Sequence, residues 1–152
     1  MKQIHVLIKY LLLLLAAVVP QSSFWVVAEA PTKVLSTGES VDAFVKTKTD
    51  ANTIMVFAKS YCPHCRQTKE LLEESYSKIK FEIVNLDQLG GNNDGFEIQH
   101  HLSEMTGQWT VPNIFVHQKP VGGNSDLQQL HASGKLRELL VAGGTASGTA
   151  EL

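Results

Sequence analysis

One stretch, TIMVFAKSYCPHCRQTKELL at residues 53–72, constrains the fold more than any other. Its first six residues, Thr53 to Ala58, are apolar and rich in β-branched side chains, the composition of a buried strand. A helix should follow, with a thin apolar stripe anchored by Leu71 and Leu72. Between strand and helix stand Cys62 and Cys65, the only two cysteines in 152 residues. Pro63 suits the first helical position, because it has no N–H to be orphaned there. Cys62 then becomes the helix cap, with its sulfur facing the free N–H groups of His64 and Cys65. Those donors and the positive helix end favour thiolate over thiol. Lys59 and Arg66 add positive charge nearby. Cys65 falls one turn further on, on the same side of the helix, away from the donors and from water. The arrangement assigns attack to Cys62 and resolution to Cys65.

Other uses of two close thiols compete with this reading. A structural disulfide across so short a loop would remove little entropy from the unfolded chain. Zinc needs four donors. Cys62, His64 and Cys65 supply ligand types, but no second paired set follows, and His100, His101 and His117 are scattered. Covalent haem would need histidine directly after the second cysteine, where the sequence has Arg66.

The rest of the chain has the length and balance of one domain with a modest core, with 43% hydrophobic and 18% charged residues. A formal net charge of −2 gives no electrostatic case for nucleic acid or an anionic membrane surface. Val41, Phe44 and Val45 lie at helical spacing after the cap candidates Ser36 and Thr37. KFEIVNLD, 80–87, reads as a second strand. Asp94 is a cap candidate for a helix carrying Phe96, Ile98, Leu102 and Met105, closed by Gly107. NIFVH, 113–117, is a third strand, and a turn at QKP leads to a short fourth at Val121. Residues 124–143 supply one or two closing helices, broken near Gly134. Helices alternating with strands in this order predict an α/β fold, a mixed four-stranded sheet flanked by helices.

The ends read differently. Lys2 and Lys9 precede the apolar run Leu11 to Val19, Pro20 ends it, and small residues follow. This is the pattern of a secretory signal peptide over residues 1–28, with cleavage after Ala28. The run is short of the roughly 20 residues a spanning helix needs, although Phe24 to Ala28 would extend it into an uncleaved anchor. The expected organisation is therefore a signal segment (1–28), a linker (29–35), one domain (36–141) and a disordered Gly/Ala/Ser/Thr tail (142–152).

KSYCPHCRQTKELL, FEIQHHL, TGQWTVPNIFV and VGGNSDLQQLHASGKL together resemble the dithiol glutaredoxins, from about Ser36 to Val141. The resemblance implies a thioredoxin fold and a glutathione-dependent reductase of protein disulfides and protein–glutathione mixed disulfides. It implies that Pro112 is the family's cis-proline, and that Val111 offers its backbone to the cysteinyl part of glutathione as one rung of strand pairing. It implies that Lys59 and Gln99 hold the glycine carboxylate. Asp126 would take the γ-glutamyl ammonium, with Ser125 at the helix N-terminus and Gly122 and Gly123 leaving room for close approach. Tyr61 and Thr110 would border the groove. Glutathione is thus the expected co-substrate and no metal is expected; Pro63, which stiffens the motif and removes a donor, argues against a bridging iron–sulfur cluster. The expected partners are glutathionylated or disulfide-bonded proteins of the secretory pathway, met by a monomer.

His64 departs from the family pattern, in which tyrosine usually stands between the proline and the second cysteine. Cys-Pro-His-Cys is also the motif of DsbA, whose reduced form is stabilised to a potential near −120 mV. His64 and Arg66 are therefore candidates for tuning Cys62. An oxidative folding factor and an iron–sulfur redox sensor stand as alternatives to the reductase.

Overall fold

The computed structural model describes residues 33–91 and 93–144. The signal-peptide reading and the residues from 145 onward lie outside them. In chain order the elements are α1 (Val41–Ala51), β1 (Ile54–Ala58), α2 (Pro63–Ser75), β2 (Phe81–Asn85) and a 3₁₀ turn (Leu86–Gln88). After these come α3 (Asp94–Thr106), β3 (Asn113–Val116), β4 (Lys119–Gly122), α4 (Asn124–Ala132) and α5 (Lys135–Gly144). The strands form one mixed sheet in the order β2-β1-β3-β4, as the alternation of helix and strand predicts.

β1 is apolar throughout because it is paired on both edges and covered on both faces. It runs parallel to β2, Ile54 opposite Phe81 and Ala58 opposite Asn85, and antiparallel to β3, Ile54 opposite Val116. All five of its residues are buried. β3 turns into β4 through His117 and Gln118, both left-handed at φ 47° and 66°. Two consecutive left-handed residues match the strand twist of a tight hairpin. Pro120 is tolerated in β4 because this is an edge strand.

Side chains alternate across the sheet and so build two cores. Ile54, Val56 and Ala58 pack on one face with Leu72 of α2, Leu127 of α4 and Leu136 of α5, and Cys65 is part of this cluster. Met55 and Phe57 pack on the other face with Val41 and Val45 of α1 and Ile98 and Leu102 of α3. Phe57 meets Phe115 edge-on, centroids 5.9 Å apart.

Local details differ from expectation. Ser40, not Ser36 or Thr37, caps α1, its hydroxyl accepting from the Ala43 N–H at 3.1 Å. Ser36 instead donates its N–H to Asp94 at 2.9 Å, which ties Asp94 to the N-terminal turn, and Asn93 is the cap of α3. Gly107 ends α3 in the left-handed conformation, φ 72°. Phe96 and Met105 do not join the buried stripe of α3 but lie exposed. Leu35, placed in the linker by its sequence neighbourhood, is buried in the second core. Residues 142–144, placed in the tail, belong to α5.

Candidate active site

The site assembles where β1 ends, because the strand must hand over to α2 in four residues. The Cys62 N–H donates back to the Lys59 carbonyl at 3.1 Å. Cys62 is the cap of α2 and Pro63 its first residue. The Cys62 sulfur accepts from the Cys65 N–H at 3.4 Å, and its thiol lies 3.6 Å from the Val111 carbonyl. Of the two donors expected from the sequence, only Cys65 is bonded to the sulfur; the His64 N–H is not. Cys62 is half-buried, whereas Cys65 is 5% exposed, and both are free thiols. Burial, and then the bond to the Cys62 sulfur, push the Cys65 thiol up to about 12. The two sulfurs are therefore unequal by position. One is accessible at a helix N-terminus, and the other keeps its proton inside the protein.

His64 and Arg66 sit on the exposed side of α2. The His64 ring pairs with Gln67 Oε1 at 3.3 Å and the Arg66 guanidinium lies 4.0 Å from Glu70. Among the described residues neither bonds to the Cys62 sulfur.

Val111 and Pro112, joined by a cis peptide bond, face the thiol from the loop before β3. Side-chain amides fix this loop. Gln108 Nε2 donates to the carbonyls of Thr110 (3.0 Å) and Pro112 (2.8 Å). Asn113, buried at the start of β3, donates to Thr106 Oγ1 at 2.9 Å and the Gln108 carbonyl at 3.3 Å. Gln99 Nε2 donates to the Trp109 carbonyl at 2.7 Å. Thr110 itself is exposed.

On one side of Cys62 a cleft of about 260 Å³ is lined by Lys59, Tyr61, Asp87 and Gln99, among others. Gln99, 7% exposed, forms part of its wall while anchoring the loop. Asp87 accepts from the Ser60 N–H at 2.8 Å and from the Ser60 hydroxyl, and these donors hold its carboxyl below the usual range. On the other side α4 begins at Asn124, so that Ser125 and Asp126 lie in its exposed first turn. The Gly123 N–H donates to Asp126 Oδ2 at 2.8 Å. Gly122 is left-handed at φ 107°, and a Cβ there would stand 2.3 Å from that same oxygen, so the turn needs glycine. Asn124 also joins α4 to α2, accepting from Thr68 Oγ1 at 3.0 Å and donating to Gln67 Oε1 at 2.9 Å.

Of the residues singled out from sequence, Val111 faces the Cys62 sulfur, Lys59, Tyr61 and Gln99 line one cleft, and Ser125 and Asp126 lie in the first turn of α4. Gln108, Asn113, Ser60 and Asp87 were not singled out. The signal for Asn113 was a polar residue opening an otherwise apolar strand, since the N–H groups of a buried amide seek acceptors. Among the described residues no group of three or more His, Cys, Asp or Glu side chains could hold a metal ion.

The family model described as glutaredoxin matches residues 54–121. The chain is 45% identical over 101 residues to glutaredoxin-C8 of Oryza sativa subsp. japonica, covering 66% of this chain and 72% of that one. It is 42% identical over 104 residues to a glutaredoxin of Ricinus communis, covering 67% and 97%. Among solved structures, a buckwheat glutaredoxin–glutathione complex superposes with a TM-score of 0.60 at 32% identity, covering 68% and 93%.

Proposed function

The chain belongs to the glutaredoxin family, and from that premise we infer that it is a glutathione-dependent thiol–disulfide oxidoreductase working through Cys62 and Cys65. The observation that carries the reading is the half-buried Cys62 sulfur at the head of α2, facing the Val111 carbonyl. Glutathione fits the groove by its chemistry. Its glycine carboxylate would meet Lys59 in the cleft, with Gln99 and Tyr61 beside it. Its cysteinyl backbone would pair with Val111, and its γ-glutamyl end would meet Asp126 and the N–H groups of α4.

In the exchange, the Cys62 thiolate attacks the glutathionyl sulfur of a mixed disulfide. A Cys62–glutathione disulfide forms, and the client sulfur leaves as thiolate and takes a proton from water. The thiolate of a second glutathione attacks the glutathionyl sulfur in turn, releasing glutathione disulfide and restoring the Cys62 thiolate. With a protein disulfide, Cys62 forms the mixed disulfide with one client sulfur and releases the other. Cys65 must then lose its proton to attack the Cys62 sulfur and free the client; two glutathione molecules reduce the resulting disulfide. Once Cys62 is in a disulfide its hydrogen bond no longer holds the Cys65 proton, but burial still does. The glutathione route does not require Cys65 to lose its proton, whereas the dithiol route does.

The test is glutathione-coupled reduction of a glutathionyl mixed disulfide and of a protein disulfide by the wild type and both cysteine variants; no turnover by the wild type overturns the reading. We further propose that the protein acts in the secretory pathway, on the strength of the Lys2, Lys9 and Leu11–Val19 pattern. Fractionation of cells expressing a C-terminally tagged full chain checks this, and a cytosolic pool alone would refute it.

A further inference from the structure

Phe96 and Trp109 are 51% and 47% exposed, yet they are not loose surface side chains. Their rings meet edge-on with centroids 5.8 Å apart, and Trp109 meets His100 edge-on at 6.0 Å. The Trp109 carbonyl accepts from Gln99 Nε2 at 2.7 Å. Isolated exposed apolar residues are ordinary, but a packed aromatic pair held in one geometry is a formed surface. It is also continuous with the site. Phe96 lies at the edge of the cleft lined by Lys59 and Gln99. Trp109 is two residues from Val111, a span of at most about 7 Å.

The position relative to glutathione is what gives the pair a use. On the reading above, glutathione ends in this cleft with its glycine carboxylate, the residue directly after its cysteine. A tripeptide has nothing further to place on Phe96 and Trp109. A client polypeptide whose cysteine is joined to Cys62 and whose backbone pairs with Val111 continues past that point. At about 3.3 Å per extended residue, its second residue after the cysteine would be the first able to reach the aromatic pair.

We propose that Phe96 and Trp109 form a docking surface for the client segment on the C-terminal side of its reactive cysteine, selecting an apolar side chain about two residues on. This inference rests on the glutaredoxin reading and adds a specificity determinant to it. The pair makes no contact with the reacting sulfurs, so it acts on client binding and not on the exchange itself.

The test uses the full chain and three substrates: the mixed disulfide of glutathione with 2-mercaptoethanol, and two symmetrical peptide disulfides with Leu or Ser two residues after the cysteine. The wild type should show a KM for the Leu peptide of order tenfold below that for the Ser peptide, the scale expected for covering one Leu side chain. The double variant Phe96→Ala/Trp109→Ala should raise the Leu-peptide KM to the Ser-peptide value, a larger loss than any it causes on the small mixed disulfide, because Phe96 also borders the glutathione cleft. Trp109→Phe with Phe96→Leu, which restores apolar surface, should recover most of the preference and guards against misfolding. An equal KM for the two peptides in the wild type, or an unchanged Leu-to-Ser ratio in the double variant, overturns the proposal. So does an equal loss on the small mixed disulfide. Failure of the wild type on the small mixed disulfide would instead strike the glutaredoxin reading.

Discussion

At the scale of single residues, the two cysteines differ by environment, and their variants should differ in kind. Cys62→Ser is expected to abolish thiol transfer to any substrate. Cys65→Ser is expected to retain deglutathionylation and lose turnover of protein disulfides; assays on the two substrate types separate the outcomes. Burial gives Cys65 a second, measurable consequence. Its ordinary value is 9.0, and the fold pushes it up to about 12. The folded protein thus keeps a proton that the unfolded chain releases, so this contribution to stability is intact below pH 9 and disappears as pH climbs from 9 towards 12. The melting temperature of the reduced wild type should therefore fall more steeply above pH 9 than that of Cys65→Ala. His64 is a residue whose role could not be read from its neighbours in sequence. Its ring turns along α2 to Gln67. Exposed charge pairs are worth about 0–1 kcal/mol, and ~1.4 kcal/mol corresponds to about 30 mV in a two-electron couple. His64→Tyr should therefore move the potential by less than about 30 mV, measured against glutathione redox buffers; a shift approaching the DsbA potential would favour the oxidase alternative.

At the scale of elements, strands and helices were legible where an apolar pattern alone decides them. β1 is continuous because both its faces are covered, and α2 follows it because proline and a capping sulfur stand at its head. What escaped were features set by partners distant in sequence. Ser36 resembles a cap, yet it pairs with Asp94, fifty-eight residues away. Gln108 reads as an ordinary loop amide, yet it fixes two carbonyls around Pro112. Asp126 was singled out as a ligand for an ammonium, and the fold gives its carboxylate a structural task as well, since Oδ2 accepts the Gly123 N–H. Asp126→Ala should therefore do two things at once. It should remove a helix-start bond worth about 1 kcal/mol and raise the KM for glutathionylated substrate by of order tenfold, as loss of a charge-assisted contact of about 1.5–3 kcal/mol would. A thermal melt and substrate kinetics read the two effects separately. A KM equal to wild type would leave Asp126 a cap and nothing more.

At the scale of the whole molecule, the sheet divides labour between its faces. Ile98 is fully buried in the core that contains neither cysteine, a core against which Val111 also packs. Ile98→Ala should cost about 2–5 kcal/mol, visible as a lowered denaturant midpoint. The opposite face bears on the thiols directly, because Cys65 packs there among Leu72, Ile114, Leu127 and Leu136. Folding and oxidation of this face form a closed thermodynamic cycle. The difference in folding free energy between the reduced and oxidised protein must equal the difference in disulfide-forming tendency between the folded and unfolded chain. A change at Leu127 or Leu136, neither of which needs to meet a substrate, would shift the electrode potential of the enzyme whenever it favours one redox form over the other. The poise of the site is thus a property of its interior, and ordinary drift among aliphatic side chains is a route by which it can be retuned.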